Sequence, residues 1–416
     1  MTIAAPELRP RWSFRLGLIF LTAASVSLPM AWISLAKILL FVSSLWYLVV
    51  NIDKHRSESV FLMLWTPRIV LVIIAAFALS LAWTHVDLNF ALAVLVKHAK
   101  LLEIILIVSL IRTFGEAQLS IKVFAFFQAF VMFISWTKAI GFTTPWDNNQ
   151  AHNHVVFSES YIDQAIMFTV SAALFWHLRN DSLWHRRLGI LLAIVLLLNV
   201  FVLLPGRTGY IVAIVAISLS LFWATSKKWQ IPVIIFTPLI LISSIYWGNN
   251  HAHQKLYSML VESKDYVQHA QTESSSGWRL NAWHRSLQAI SDKPLLGYGV
   301  GSWSPAVKRF EGPSATRAFG TNNSSNPHQE FLLWGVELGG VGIVLILSFL
   351  AGVALDAKHF PTGPRRAVLC ILAITATASL FNSVLFDDLI GDYLVVVLGI
   401  TISYGIRKTA EMEKIG

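Results

Sequence analysis

Only one of the 416 residues is cysteine, and only 13% are charged. Cys370 lies in an apolar run, so no disulfide can form within one chain. A soluble domain of this length carries about a quarter charged residues. That shortage, against 55% hydrophobic residues, excludes an ordinary soluble enzyme. The chain also lacks an Asp-x-Asp pair in its long polar stretch, a His/Cys cluster of metal-ligand spacing, and a P-loop. These gaps leave no resident metal or nucleotide to expect, and no cofactor. A reaction carried out by such a chain must draw on an already activated donor.

What is present is apolar sequence in span-length pieces. A membrane helix needs roughly 17–25 mostly apolar residues. The sequence predicts an all-α polytopic integral membrane protein of about twelve such spans. They fall near 14–29, 32–50, 62–83, 88–111, 119–137, 160–178, 188–204, 209–225, 231–247, 329–353, 367–386 and 390–406. The N-terminal MTIAAPELRPRWSFR is basic and lacks a small-residue cleavage site, so it reads as the flank of a retained first span. One long polar segment, 248–328, separates spans 1–247 from spans 329–416.

The net charge of +9 raises the question of nucleic acid. Its distribution answers it. With the N-terminus in the cytoplasm, the cytoplasmic pieces hold Arg9, Arg11, Arg15, Lys54, Arg56, Arg112, Arg179, Arg186, Arg187, Lys227, Lys228, Lys358, Arg365, Arg366, Arg407, Lys408 and Lys414. The short loops opposite hold only Lys138 and Arg207. That is the positive-inside pattern of a membrane protein and no sign of nucleic acid. It puts both termini inside and 248–327 outside. The outer segment nevertheless carries Lys255, Lys264, Arg279, Arg285, Lys293, Lys308, Arg309 and Arg317, against the topological bias. Such charge serves an anionic ligand.

Four stretches carry residues suited to chemistry. In LLPGRTGY, Arg207 follows Pro205 in a minimal loop before a span. Gly206 and Gly209 allow close backbone approach, and the helix N-terminus favours an anion. The alternative is an interfacial arginine whose stem lies on apolar surface. In Trp278–Ile290, read as a helix, Leu280, Trp283, Leu287 and Ile290 form an apolar stripe. Arg279 falls at its edge, and Arg285 on the wet face with Asn281 and Gln288. A guanidinium near an apolar face needs an anionic partner, either a carboxylate such as Glu262 or Asp265, or a phosphate. PLLGYGVGSW has glycines spaced as GxGxG, but no strand–helix unit surrounds them, so a tight turn is expected instead of a nucleotide cradle.

The fourth stretch is SSNPHQEFLLWGVELGGVG. Asn326 reads as an N-cap, Pro327 as the first helical residue and Gln329 as the far side of a capping box. His328 then lies in the first helical turn, where the positive helix end keeps its imidazole neutral and able to accept a proton. A structural histidine is the alternative. Asp387 and Asp388 stand at the outer end of the eleventh span, placed to orient His328, to counter an arginine, or simply to cap the last span. Asn382 and Ser383 precede them, placed for sugar hydroxyls or neighbouring helices. Lys97, His98, Lys100 and Glu103 interrupt the fourth span. Charges there line an interior cavity, with Lys100 and Glu103 paired at i,i+3, and suit either an ion path or a charged lipid headgroup.

The ordered set G-R-[ST]-G, W-R-L-x-x-W, P-L-L-G-Y-G-V-G and P-H-Q-E-F-L-L-x-G-x-x-x-G-G-x-G resembles the bacterial O-antigen ligase and polymerase superfamily, over about 200–345. That superfamily includes some protein O-oligosaccharyltransferases. Members frequently follow the histidine with Asn or Ser, where this chain has Gln329. The resemblance implies an integral-membrane (GT-C type) glycosyltransferase fold in the bacterial inner membrane, with its active site at the periplasmic face. It implies Arg207 and Arg279 as essential arginines, His328 as the essential histidine, and one acid of Asp387–Asp388 as a further functional residue. The implied donor is a glycan on undecaprenyl diphosphate and the implied acceptor lipid A–core oligosaccharide, both among membrane lipids. Such a transfer needs the leaving diphosphate neutralised and the acceptor hydroxyl deprotonated. A polymerase, a protein-glycosylating enzyme and, more distantly, an ion-coupled transporter are the alternatives.

Overall fold

The structure is a computed structural model. It describes residues 14–50, 64–142, 154–158, 160–204, 206–248, 250–269, 274–310 and 326–415. Arg9, Arg11, Lys54, Arg56, Pro205 and Arg317 lie outside the described residues.

The described residues hold helices and no strands. The first nine are α1 (Phe14–Ser25), α2 (Met30–Val50), α3 (Trp65–Ser80), α4 (Leu88–Ala99), α5 (Leu102–Leu110), α6 (Phe114–Ala139), α7 (Tyr161–His177), α8 (Arg186–Val202) and α9 (Arg207–Ala224). After α10 (Lys227–Gly248) come the polar α11 (Asn250–His269), α12 (Ser275–Asp292) and the short α13 (Trp303–Lys308). The chain ends with α14 (Glu330–Ala357), α15 (Thr362–Ser379) and α16 (Asp388–Ile415). Helices are what apolar chain must form in lipid, since only they satisfy every backbone group within one segment.

Among the described residues α6, α9, α10, α14 and α16 are long and apolar enough to cross a membrane; α1, α2, α3 and α4 are shorter apolar helices. The architecture is that of a multi-pass membrane protein. α16 is the most enclosed, packed on α5, α6 and α15. α10 is its opposite. Ile231, Phe236, Leu239 and Ile240 all point away from protein, so lipid is their solvent. α14 lies between α3 and α15. At its inner end the Asp356 carboxylate accepts from Trp65 N, Thr66 N and Thr66 Oγ1, all at 2.6–2.8 Å. A carboxylate thereby satisfies the free N–H groups at the start of α3 and favours its dipole.

Two features depart from the sequence expectation. The stretch 88–111 is not one helix. Leu101 N, Glu103 N and Ile104 N bond three residues back, to His98 O, Lys100 O and Leu101 O, a tight turn that divides α4 from α5. Lys100, released by that turn, pairs with Asp388 (3.8 Å) and Asp392 (3.9 Å) and not with Glu103, whose oxygen faces Lys37 at 3.8 Å.

The second is in α14, which breaks at Gly339 (φ 64°, ψ −148°). The PLLGYGVG loop fills the break. Tyr298 N and Gly299 N donate to Val336 O and Glu337 O, while Gly340 N and Val341 N donate to Pro294 O and Leu295 O. A Cβ on Gly339 would lie 2.5 Å from Leu295 O. The expected tight turn is present, and its work is to exchange backbone bonds with a membrane helix. Glu337 seals the joint, with Oε1 accepting from Gly301 N (2.8 Å) and Oε2 2.9 Å from His98 Nε2. The polar segment is thus locked onto α14 below the site.

Candidate functional site

Arg207 opens α9 directly after Gly206, and its Nη1 donates to Ser276 Oγ at 3.1 Å. Ser276 is the second residue of α12, with its own N–H donating to Glu262 Oε2 at 3.1 Å. Arg279 lies one turn further along α12, half-buried. Burial, and then the nearby Arg207 guanidinium, hold Arg279 below the ordinary guanidinium value, while the Tyr161 phenol works the other way. Glu262 and Asp265, the carboxylates expected of it, form no ion pair with Arg279 among the described residues. Two guanidiniums 72 positions apart in sequence are therefore near enough to repel, with no ion pair to either among the described residues and Glu262 bonded to Ser276 instead. That arrangement is costly unless an anion completes it.

Two expectations about these elements are corrected. A Cβ on Gly209 would lie 2.5 Å from Ala165 Cβ, and one on Gly206 3.2 Å from Tyr161. These glycines bring α9 against α7 and serve helix packing, not the approach of a ligand. The buried face of α12 holds Trp278, Asn281, Ala282, Ser286 and Ala289, while Leu287 is exposed. The helix is rotated from the predicted stripe because it presents small residues to α14, where Gly335 lets Ile290 come close. Asn281 is inside, not on the wet face. Arg285 is half-buried and donates to Gln288 Oε1 at 3.2 Å.

His328 does not lie in the helix. The cap is Gln329, whose side chain accepts from Leu332 N at 2.5 Å, and α14 starts at Glu330. Asn326 Oδ1 accepts instead from His328 N at 2.9 Å, closing a small turn that puts His328 in the left-handed region at φ 50°. For a histidine that is a rare conformation, of the kind held by surrounding structure at functional sites. The surroundings are evident. Trp283 Nε1 donates to Pro327 O (3.1 Å), Gln329 N donates to Ser383 Oγ (3.1 Å), and the Trp278 ring meets the imidazole edge-on at 5.3 Å.

His328 Nδ1 lies 3.0 Å from Asn382 Oδ1. The same oxygen accepts from Ser383 N at 3.0 Å, which fixes the amide's orientation. An amide oxygen only accepts, so the neutral imidazole carries its proton on Nδ1 and leaves the Nε2 lone pair free. Burial lowers the His328 pKa; the Asn382 bond opposes this and Arg279 reinforces it. The expected helix dipole is not the cause, because His328 stands outside the helix.

Burial pushes the Asp387 carboxyl up to about 6, against the pull of Lys100, Lys97 and the Asn382 side chain. Asp388 is half-exposed and pairs with Lys97 at 3.0 Å, away from the histidine. Sequence reasoning passed over Glu330. It is fully buried, accepting from Trp334 Nε1 and from Leu385 N, both at 2.9 Å, and so ties the start of α14 to the 380–387 turn. Its only signal was an acid inside an apolar run. Among the described residues no group of three His, Cys, Asp or Glu side chains converges as a metal site would require.

Residues 192–347 match the protein-family model described as O-antigen ligase. The resemblance carried by the motifs is thereby borne out over the stretch that holds Arg207, Arg279 and His328. Over 159 residues the chain is 24% identical to the ComP-specific O-oligosaccharyltransferase of Acinetobacter baylyi, covering 38% of this chain and 28% of that one. Over 244 residues it is 26% identical to an uncharacterized protein of Haemophilus influenzae, covering 57% and 59%. The chain thus spans less than two thirds of either relative.

Proposed function

We propose that this chain is an O-antigen ligase, moving O-antigen polysaccharide from undecaprenyl diphosphate to lipid A–core oligosaccharide. The observation that carries the reading is an arginine pair with no ion pair among the described residues, set beside a histidine whose Nδ1 is tied to Asn382. In this reading twelve spans cross the inner membrane, both termini lie in the cytoplasm, and 248–328 forms a periplasmic catalytic segment.

The transfer is a single displacement. The acceptor oxygen attacks the anomeric carbon as the bond from that carbon to the diphosphate oxygen breaks. His328 Nε2 takes the acceptor's proton. The diphosphate leaves with the bonding electrons, and Arg207 and Arg279 stabilise the charge that develops on it. One displacement inverts the anomeric configuration. Asn326 and Gln329 hold the backbone that presents the imidazole, and Asp387 steadies Asn382. Asp388 belongs to the lysine cluster and takes no part in the step.

The test is transfer by purified protein in detergent, with no ion gradient present. Product on lipid A–core supports the ligase and excludes a transporter. In cells a deletion strain would lose all polymeric O-antigen from lipid A–core. If core carrying one repeat unit remained, the chain would be a polymerase instead. The A. baylyi relative favours a second reading, transfer to a protein, which labelled glycan appearing on a protein acceptor would establish.

A further inference from the structure

A second group of cations stands apart from the arginine pair. Lys293 closes α12, 14 residues beyond Arg279, which at the helical rise places it roughly 20 Å further along. Its ammonium lies 2.6 Å from His85 Nε2, in the loop between α3 and α4, and 4.5 Å from the centre of the Tyr298 ring. Arg309, at the end of α13, approaches the same ring at 5.7 Å. Three separate segments thus deliver basic side chains to one aromatic ring.

Asp292 is engaged by the Tyr298 hydroxyl, and neither Lys293 nor Arg309 has an ion pair among the described residues. Burial, then Lys293 and Arg309, lower the pKa of His85. His85 is therefore neutral near pH 7 and accepts from Lys293, whose other N–H groups remain available.

The group is held rigidly. Thr84 Oγ1 donates to Val300 O (2.7 Å), His85 N donates to Ser302 Oγ (3.1 Å), and Trp83 Nε1 donates to Leu296 O (3.2 Å). A Cβ on Gly299 would lie 2.5 Å from Thr84 Cα, so the two loops fit only with glycine there. Beside the cations Leu295 and Leu296 are 75% and 55% exposed, on the loop bonded into the break in α14. Apolar side chains next to fixed cations, at the head of an apolar helix, are the signature of a surface that meets lipid headgroups.

We propose that His85, Lys293 and Arg309, gathered around Tyr298, form a second anion site that takes a phosphate ester on a membrane glycolipid, the acceptor of the transfer. This rests on the ligase reading and adds to it. The acceptor is held at two points, its hydroxyl near His328 and its phosphate roughly 20 Å away along α12.

The test uses the full chain in phosphatidylcholine nanodiscs. The acceptor probes are lipid A–core lacking O-antigen, with its phosphates intact or removed by phosphatase. Wild type should show a KM about tenfold lower for the phosphorylated acceptor, as losing two charge-assisted contacts implies. The double variant Lys293→Gln/Arg309→Gln should lose that preference, with KM moving far more than kcat. Lys308→Gln, removing a neighbouring exposed charge outside the group, should keep it. A preference retained by the double variant, or lost equally by Lys308→Gln, overturns the site. A preference that follows added phosphatidylglycerol, or that millimolar inorganic phosphate abolishes, overturns the assignment to the acceptor's phosphate. So does a protein acceptor whose KM depends on the same two residues. If wild type transfers to nothing, the ligase reading fails alone. The anion site then stands or falls on whether direct binding of the two lipid probes, read by surface plasmon resonance, differs in wild type and not in the double variant.

Discussion

His328 and Asn382 are 54 residues apart and meet at 3.0 Å, Nδ1 to Oδ1, at the mouth of the α14–α15 pair. The contact decides which imidazole nitrogen faces the substrate. His328→Ala should therefore abolish single-turnover transfer, by at least about 10²–10⁴, the usual worth of a positioned base. Donor binding, measured on the same protein, should stay near wild type. Loss of the donor instead would reassign the histidine to the diphosphate.

The pH profile should separate the groups around that histidine. The base must be unprotonated, so the rate falls as pH drops through the His328 pKa. Burial already puts that pKa below the ordinary imidazole value. The Asn382 bond raises it, so Asn382→Ala should move the acid limb to lower pH while reducing the maximal rate. Arg279 lowers it, so Arg279→Gln should move the limb to higher pH. Two shifts of the same sign would contradict this account.

Arg279→Lys keeps the charge and loses the planar two-point grip on a phosphate, so transfer should drop by about 10²–10³. Arg207→Lys should behave alike, because its guanidinium is near enough to Arg279 to act on the same anion. Arg285, bonded only to Gln288, should tolerate lysine. A fully active Arg279→Lys enzyme would dissolve the proposed clamp.

Lys100 is a strut for the same turn. Its ammonium donates to Asp387 O at 2.7 Å and Phe386 O at 3.3 Å, and Gly391 leaves it room. Lys100→Met leaves the buried Asp392 with Lys37 alone (2.6 Å), so the loss should stay below the roughly 3–5 kcal/mol of a fully broken buried pair. The variant should unfold at lower temperature in detergent and lose kcat through a misplaced Asn382. Unchanged stability would show that Asp392 finds another counter-ion.

Gly339→Ala should be nearly as damaging, by at least about 1–3 kcal/mol, because φ 64°, ψ −148° belongs to glycine and a Cβ meets Leu295. Thermal unfolding followed by size-exclusion would report it. For orientation, Ser275→Cys is exposed, and the native Cys370 is buried and silent. Impermeant maleimide should label that variant in intact spheroplasts; labelling only after membrane lysis would reverse the topology.

The amino-acid sequence by itself determined the helical membrane class. Each predicted apolar run holds helix among the described residues, although 88–111 divides in two and the run 367–386 leaves helix after Ser379, because a helix bonds its backbone within one segment. It also singled out Arg207, Arg279 and His328, since a permanent cation at a span end and a histidine before a glycine-rich helix stand out against apolar neighbours. Tertiary structure decided what those residues face. The approach of Arg207 to Arg279 depends on the bond from Arg207 to Ser276 that ties α9 to the start of α12. The tautomer of His328 depends on a turn two helices further along the chain. Periodicity misplaced the buried face of α12, because the rotation follows the fit of small residues against Gly335 and Ile290 and not the count of apolar ones. The break in α14 was invisible for the same reason: a glycine run permits a kink, and only the loop that fills it selects Gly339.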